Sequence, residues 1–213
     1  MPRVMLPNPV AIHYVAVKEP SSYQGGDPRY SVRVAIRKDD KVNMQALDEA
    51  ITAAKNSNLA KKWPKVPDSK LAILSKVEGQ RMYDGDTATK EDGSPVGPEF
   101  KGCWFFNAYA ELNTPPITMR RIPFAERIAG GPIVEKTDPD IFYSGCIVKI
   151  DLNIYARNRP SKGIGAQLNA LIFIKDGIRS DGGATEASVI AAYTEEGVVE
   201  DEEDAPITDD FNE

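Results

Sequence analysis

Hydrophobic and polar residues alternate most regularly in the second half of the chain. In CIVKIDLNIYARN, Val148, Ile150, Leu152, Ile154 and Ala156 fall on one side and Lys149, Asp151, Asn153, Tyr155 and Arg157 on the other, the period of two of a half-buried strand. GIGAQLNALIFIKDG repeats the pattern, with Ile164, Ala166, Leu168, Ala170, Ile172 and Ile174 on one face and Gln167, Asn169, Leu171, Phe173 and Lys175 on the other. The connector ARNRPSKG between them predicts an antiparallel hairpin whose tip carries Arg159 and Lys162. RYSVRVAIRK obeys the same rule: Tyr30, Val32, Val34 and Ile36 point inward, Ser31, Arg33, Ala35 and Arg37 outward. GCWFFNAYAEL is a further strand, dense in aromatics, with Trp104 and Phe106 on its core face and Phe105 and Tyr109 opposite them beside Asn107.

Only one segment switches to helical spacing. MQALDEAITAAKNSNLA repeats Met44, Leu47, Ile51 and Ala54 among good helix formers, and Asn43 is positioned as its N-cap. The prolines of KKWPKVPDSK make that stretch a basic loop, LAILSKVE reads as a short strand, and DGDTATKEDGSPVGPEF is a long polar loop. The first 28 residues, with their prolines and SSYQGGDP, predict an irregular arm, and the ordered body is expected to start near Tyr30. Strands dominate, so the expected class is mainly β: a small closed or nearly closed barrel with one amphipathic helix and long loops, in one domain ending near residue 194.

Composition narrows the setting. The chain has 213 residues, 41% hydrophobic and 27% charged, which is ordinary for a globular protein. No apolar run is long enough for a membrane span, and none near the start suits a signal peptide, so a cytoplasmic protein with no membrane contact is expected. Charge changes the picture more. Ten acids (Glu195, Glu196, Glu200, Asp201, Glu202, Glu203, Asp204, Asp209, Asp210 and Glu213) crowd into the last stretch with no Lys or Arg, leaving a body of 26 bases against 22 acids. A basic body with a disordered acidic tail, residues 195–213, is an asymmetry associated with nucleic-acid binding.

Catalytic and cofactor chemistry finds little purchase. Cys103 and Cys146 are the only cysteines and His13 the only histidine, so neither a zinc cage nor a disulfide scaffold is expected, and a nucleophile triad would have to rest on His13 alone. There is no phosphate-loop motif, and the GIG at Gly163–Gly165 opens a strand, not a helix. No cofactor or metal is expected. Asp84, Asp86 and Asp151 are the carboxylates that a magnesium-dependent nuclease would use, and that reading stays open as an alternative, as does an assembly or interaction protein on a barrel scaffold.

Binding single-stranded nucleic acid needs cations along the phosphates and aromatic faces for unpaired bases. The outward strand faces supply both: Arg33 and Arg37; Phe105 and Tyr109; Lys149, Tyr155 and Arg157; Phe173 and Lys175; with Arg159 and Lys162 at the hairpin tip. In the tail, Asp209 and Asp210 precede Phe211, an acidic docking tip with a single aromatic anchor, followed by Asn212 and Glu213.

The run YSGCIVKIDLNIYARN, then NRPSKGIGAQLNALIFIKDGIRSDGG, resembles a family of phage single-stranded DNA-binding proteins long catalogued as a domain of unknown function. The matching features are the Ser-Gly-Cys strand start, the KGIGAQLNAL turn into the last strand and the KDG-x-R element after it. RYSVRVAIRK and the Ala-rich helix resemble the family's N-terminal half, so the likeness spans about residues 28 to 194. It implies an OB-fold, a five-stranded antiparallel barrel, with sequence-independent binding of single-stranded DNA in phage replication and recombination. It also implies replication or recombination partners recruited by the acidic tail, and it leaves self-association on DNA open. The helix comes after what reads as the first strand, where the usual barrel places it after the third, and is expected to be an insertion.

Overall fold

A computed structural model of the chain describes residues 1–180 except 23, 24, 62, 64, 65, 130 and 160. The tail residues Asp209, Asp210 and Phe211, and the expected boundary near 194, lie outside the described residues.

The stretch expected to be an irregular arm is instead two strands, β1 (Arg3–Met5) and β2 (Val10–Ser21). The two-residue period is hidden there by a bulge. His13 pairs with Arg33 and Ala16 with Ser31, so one extra residue is accommodated, and Tyr14 turns to φ 49°. Val10 and Ile12 are buried before the bulge and Val17 after it, on opposite parity.

Around this start the expected strands assemble as β3 (Arg29–Arg37), β6 (Cys103–Ala110), β9 (Ile147–Arg157) and β10 (Gly163–Lys175). With β2 they close a ring, β2-β3-β6-β10-β9 and back to β2 through Val10↔Val148. Taken in chain order the ring runs first, second, third, fifth, fourth, the OB-fold arrangement. Every junction is antiparallel except β6 to β10, which meet in parallel at Tyr109↔Gln167. Short strands extend the ring: β1 along β9, β4 (Ala72–Ile73) beside the start of β10, β5 (Tyr83–Asp84) beside β6, and β7 (Ile117–Arg121) with β8 (Val134–Lys136) along the end of β10.

The ring's interior is the core. Val32, Val34, Ile36, Phe106, Ala108, Val148, Ile150, Leu152, Ile154, Ile164, Ala166 and Leu168 are all buried there, as their alternation predicts. The helix α1 (Lys41–Lys55) packs Leu47, Ala50, Ile51 and Ala54 against it. A single turn, α2 (Asn58–Lys61), follows. The N-cap is Asp40, not Asn43: the Asp40 carboxylate accepts from the Asn43 N–H, while the buried Asn43 side chain exchanges hydrogen bonds with the backbone of Asn8. Because β2 is the ring's first strand, the helix follows the second strand, not the first.

A second bulge overturns part of the expected pattern in β10. Leu168 pairs with Leu152 but Ala170 pairs with Asp151, so Asn169 is the extra residue and the face changes from Ala170 to Phe173, after which the register shifts once more before Lys175. Leu171 is buried, and Phe173 packs on the core with its ring edge-on to Phe142, centroids 6.1 Å apart. The expected outward placement of Leu171 and Phe173 is therefore incorrect.

The long polar loop covers part of the sheet's outer face. Its Phe100 is fully buried against Ala35 and Phe105, with Tyr83, Ala88 and Val96 around them, making a small second core outside the ring. Among the described residues no helix is long and apolar enough to cross a membrane.

Candidate nucleic-acid interface

Beside this covered part, the outer face holds an open groove of about 310 Å³. Its floor is strand. Ser31 of β3 pairs with Tyr109 of β6, Tyr109 with Gln167 of β10, and Gly165 of β10 with Tyr155 of β9, so residues from four strands share one surface. Gly26 and Asp27, from the connection between β2 and β3, line it together with Arg29, the first residue of β3. Arg157, the last residue of β9, and Arg159, from the connection between β9 and β10, line it as well. Ser75, Lys76 and Tyr83 add to the lining.

Three tyrosine rings are held ready in this groove. Tyr83 stacks on Phe105, with centroids 5.2 Å apart and planes 17° apart, and its hydroxyl accepts from the Lys76 N–H at 2.9 Å. Tyr109 is half-buried, and burial raises its pKa against an opposing hydrogen bond with Asn107. Tyr155 lies across Gly165, where a Cβ would come within 2.8 Å of Tyr155 Cζ. The KGIG motif is thus spatial in origin, since a Cβ at Gly163 would stand 2.1 Å from the Ala72 carbonyl oxygen.

Charge on the walls is one-sided. Arg29, Lys76, Arg157 and Arg159 line the groove, and Asp27 is the one acid among the lining residues. Arg157 has a second engagement, donating to the carbonyl oxygens of Ser75 at 2.7 Å, Ser161 at 3.1 Å and Arg159 at 3.2 Å. It holds the hairpin connection in shape.

The structure brings Tyr109, Tyr155, Arg157 and Arg159 together in the groove, with Arg33 at its edge, donating to Asn107 Oδ1 at 3.0 Å. Phe105, expected to face solvent, is 3% exposed because Phe100 and Tyr83 cover it. Arg37 is exposed at the end of β3 and paired with Asp39. Lys162 is half-buried just before β10. Lys149 donates to the Pro7 carbonyl, Phe173 is turned to the core, and Lys175 is exposed at the far end of β10. None of these six, Phe105 and Arg37 included, lines the groove. Arg29, Lys76 and Tyr83 are groove residues that the strand patterns did not single out. Arg29 is the first residue of the alternating stretch and of β3, and Tyr83 belongs to a strand of two residues.

The carboxylates of the nuclease alternative are engaged elsewhere. Lys38 bridges Asp84 and Asp86 and pulls both carboxyls below their ordinary pKa. Asp151, 2% exposed, is paired with Arg3 and accepts from Asn169 Nδ2 at 3.1 Å. Among the described residues no three His, Cys, Asp or Glu are grouped to hold a metal ion.

The family described as Enterobacter phage Enc34, ssDNA-binding protein, matches residues 3–204. The solved single-stranded DNA-binding protein from bacteriophage Enc34 in complex with ssDNA superposes with a TM-score of 0.60 at 22% identity, covering 84% of this chain and 88% of that one. The same protein without the DNA gives 0.57 at 23% identity, over 89% and 88%. Its C-terminal truncation gives 0.58 at 23% identity, over 83% and 87%. These likenesses show that the fold is shared. No curated protein matches the sequence.

Proposed function

The chain belongs to the family of the Enterobacter phage Enc34 ssDNA-binding protein, and on that premise we propose that it coats and protects single-stranded DNA, without regard to sequence, during phage DNA replication, recombination and repair. The observation that carries this reading is the groove itself, three oriented tyrosine rings between arginine-bearing walls on the outer face of an OB ring. Strands and connections in these positions are the ones with which OB-folds bind oligonucleotides. The solved Enc34 protein, of the same fold, is in complex with ssDNA.

Tyrosine faces stack on any base, at roughly 1–3 kcal/mol per base, and arginines neutralise phosphates, so neither contact reads sequence. The acidic tail belongs to the same reading. Its carboxylates compete with phosphate for the basic groove, and when DNA displaces it, Asp209, Asp210 and Phe211 recruit replication or recombination proteins. The setting is the host cytoplasm, and the activity is binding, with no catalytic step.

The test is fluorescence anisotropy of labelled oligo-dT and a matched duplex across a salt series, for the full chain and for a truncation after Thr194. Tight, salt-sensitive binding to the single strand, weak binding to duplex and a gain on truncation support the whole reading. Equal affinity for both DNA forms, or magnesium-dependent loss of the labelled strand, overturns it.

A further inference from the structure

Tyr14 occupies the bulge of β2 with φ 49°, a conformation that glycine or asparagine adopts readily and a bulky aromatic residue does not. The ring recovers little of that cost by burial, because Tyr14 is 53% exposed. It is nevertheless fixed in orientation. Its N–H donates to Ser144 Oγ at 2.8 Å, and its plane lies within 8° of buried Phe100, centroids 6.2 Å apart. The Arg33 guanidinium carbon sits 4.4 Å from the Tyr14 ring centre. Arg33 in turn donates to Asn107, which lines the groove.

Backbone strain held in place by several contacts, around a side chain that points into solvent, is a pattern found at binding sites. Here the exposed group is a pre-oriented aromatic face with a cation on it, one side chain away from the groove. Those are the two elements an unpaired nucleotide requires, a stacking surface for its base and a positive charge for its phosphate.

We propose that Tyr14 is a stacking station for one unpaired base at the end of the DNA path, with Arg33 taking the adjoining phosphate, so that the footprint runs from the β9–β10 connection across β3 and β6 to β2. This rests on the single-stranded DNA reading and extends it to a residue outside the groove.

The experiment is anisotropy with oligo-dT carrying a single abasic site walked along the strand, for the wild-type full chain, Tyr14→Asn and Tyr14→Phe. Asparagine tolerates the positive φ and has no aromatic face; phenylalanine keeps the face and loses the hydroxyl. The expected loss for Tyr14→Asn is roughly five- to hundredfold, with Tyr14→Phe unchanged. One abasic position that weakens the wild type becomes silent in Tyr14→Asn while the other positions keep their cost. If Tyr14→Asn binds within about twofold of wild type, or its abasic profile matches wild type position by position, the station is refuted. Should circular dichroism show Tyr14→Asn unfolded, Tyr14→Leu, which keeps apolar cover over Phe100, is read by the same criteria. A wild type that binds no oligo-dT refutes the parent reading instead, so the two failures are distinguishable.

Discussion

Gly165 stands directly opposite Tyr155 in the β9–β10 ladder, and the tyrosine ring lies over the space where any other residue would carry a Cβ. The missing side chain sets the position of the ring. Gly165→Ala is expected to push Tyr155 out of its place, weakening oligo-dT binding several-fold while costing about 1–2 kcal/mol of stability. Anisotropy and urea melts of the same preparation check both numbers. Unchanged affinity would remove Tyr155 from the binding surface.

Arg157 and Arg159 are neighbours in sequence with different tasks. Arg157 spends its guanidinium on three backbone carbonyls, so Arg157→Ala should destabilise the fold by about 1–3 kcal/mol as those acceptors lose their donor. Arg159 is exposed on the groove wall. Arg159→Ala should leave the melting temperature in place and reduce the slope of log affinity against log salt by about 0.7, the share of one phosphate contact on a single strand. A melting shift confined to Arg159→Ala would reverse these assignments.

Phe173 provides a check on the second bulge. Because it packs on the core, Phe173→Ala should lower stability by roughly 2–4 kcal/mol and leave the affinity of the folded protein for oligo-dT unchanged. Tyr109→Ala should do the opposite, with a large loss of binding for a smaller loss of stability. Chemical denaturation paired with anisotropy separates them.

His13 is expected to make the fold sensitive to mild acid. It is 4% exposed, its Nδ1 is 2.8 Å from Ser180 Oγ, and burial lowers its pKa from 6.5, with Glu99 opposing the shift and Arg33 adding to it. The unfolded chain then binds the proton first. The contribution of neutral His13 to stability is complete above pH 6.5 and is lost as the pH falls towards the lower folded value. Melting temperatures taken from about pH 7.5 down to about pH 5.5 should fall for the wild type and fall less steeply for His13→Gln. Parallel curves would show that the histidine titrates alike in both states.

Local pattern was enough for much of this protein. The alternation in β3, β6 and β9, the helical stripe in α1, the hairpin joining β9 to β10 and the separation of a basic body from an acidic tail are all properties of neighbouring residues, legible because side-chain direction follows backbone period. The basic and aromatic character of the outer face follows from the same arithmetic.

Tertiary structure decided what lies beyond one element. Register shifts in β2 and β10, the single-residue bulges at Tyr14 and Asn169 among them, break the period without any local mark in the sequence. The first concealed a strand as an arm, and the second turned Phe173 from the surface to the core. Phe105 lies on the outer face, as its alternation predicts, yet Phe100, from a distant loop, covers it. The groove joins residues as far apart in the chain as Arg29, Tyr83 and Arg159. Composition and period report which way a side chain points from its own strand; what it meets there depends on where the ring closes and which loop folds back over it.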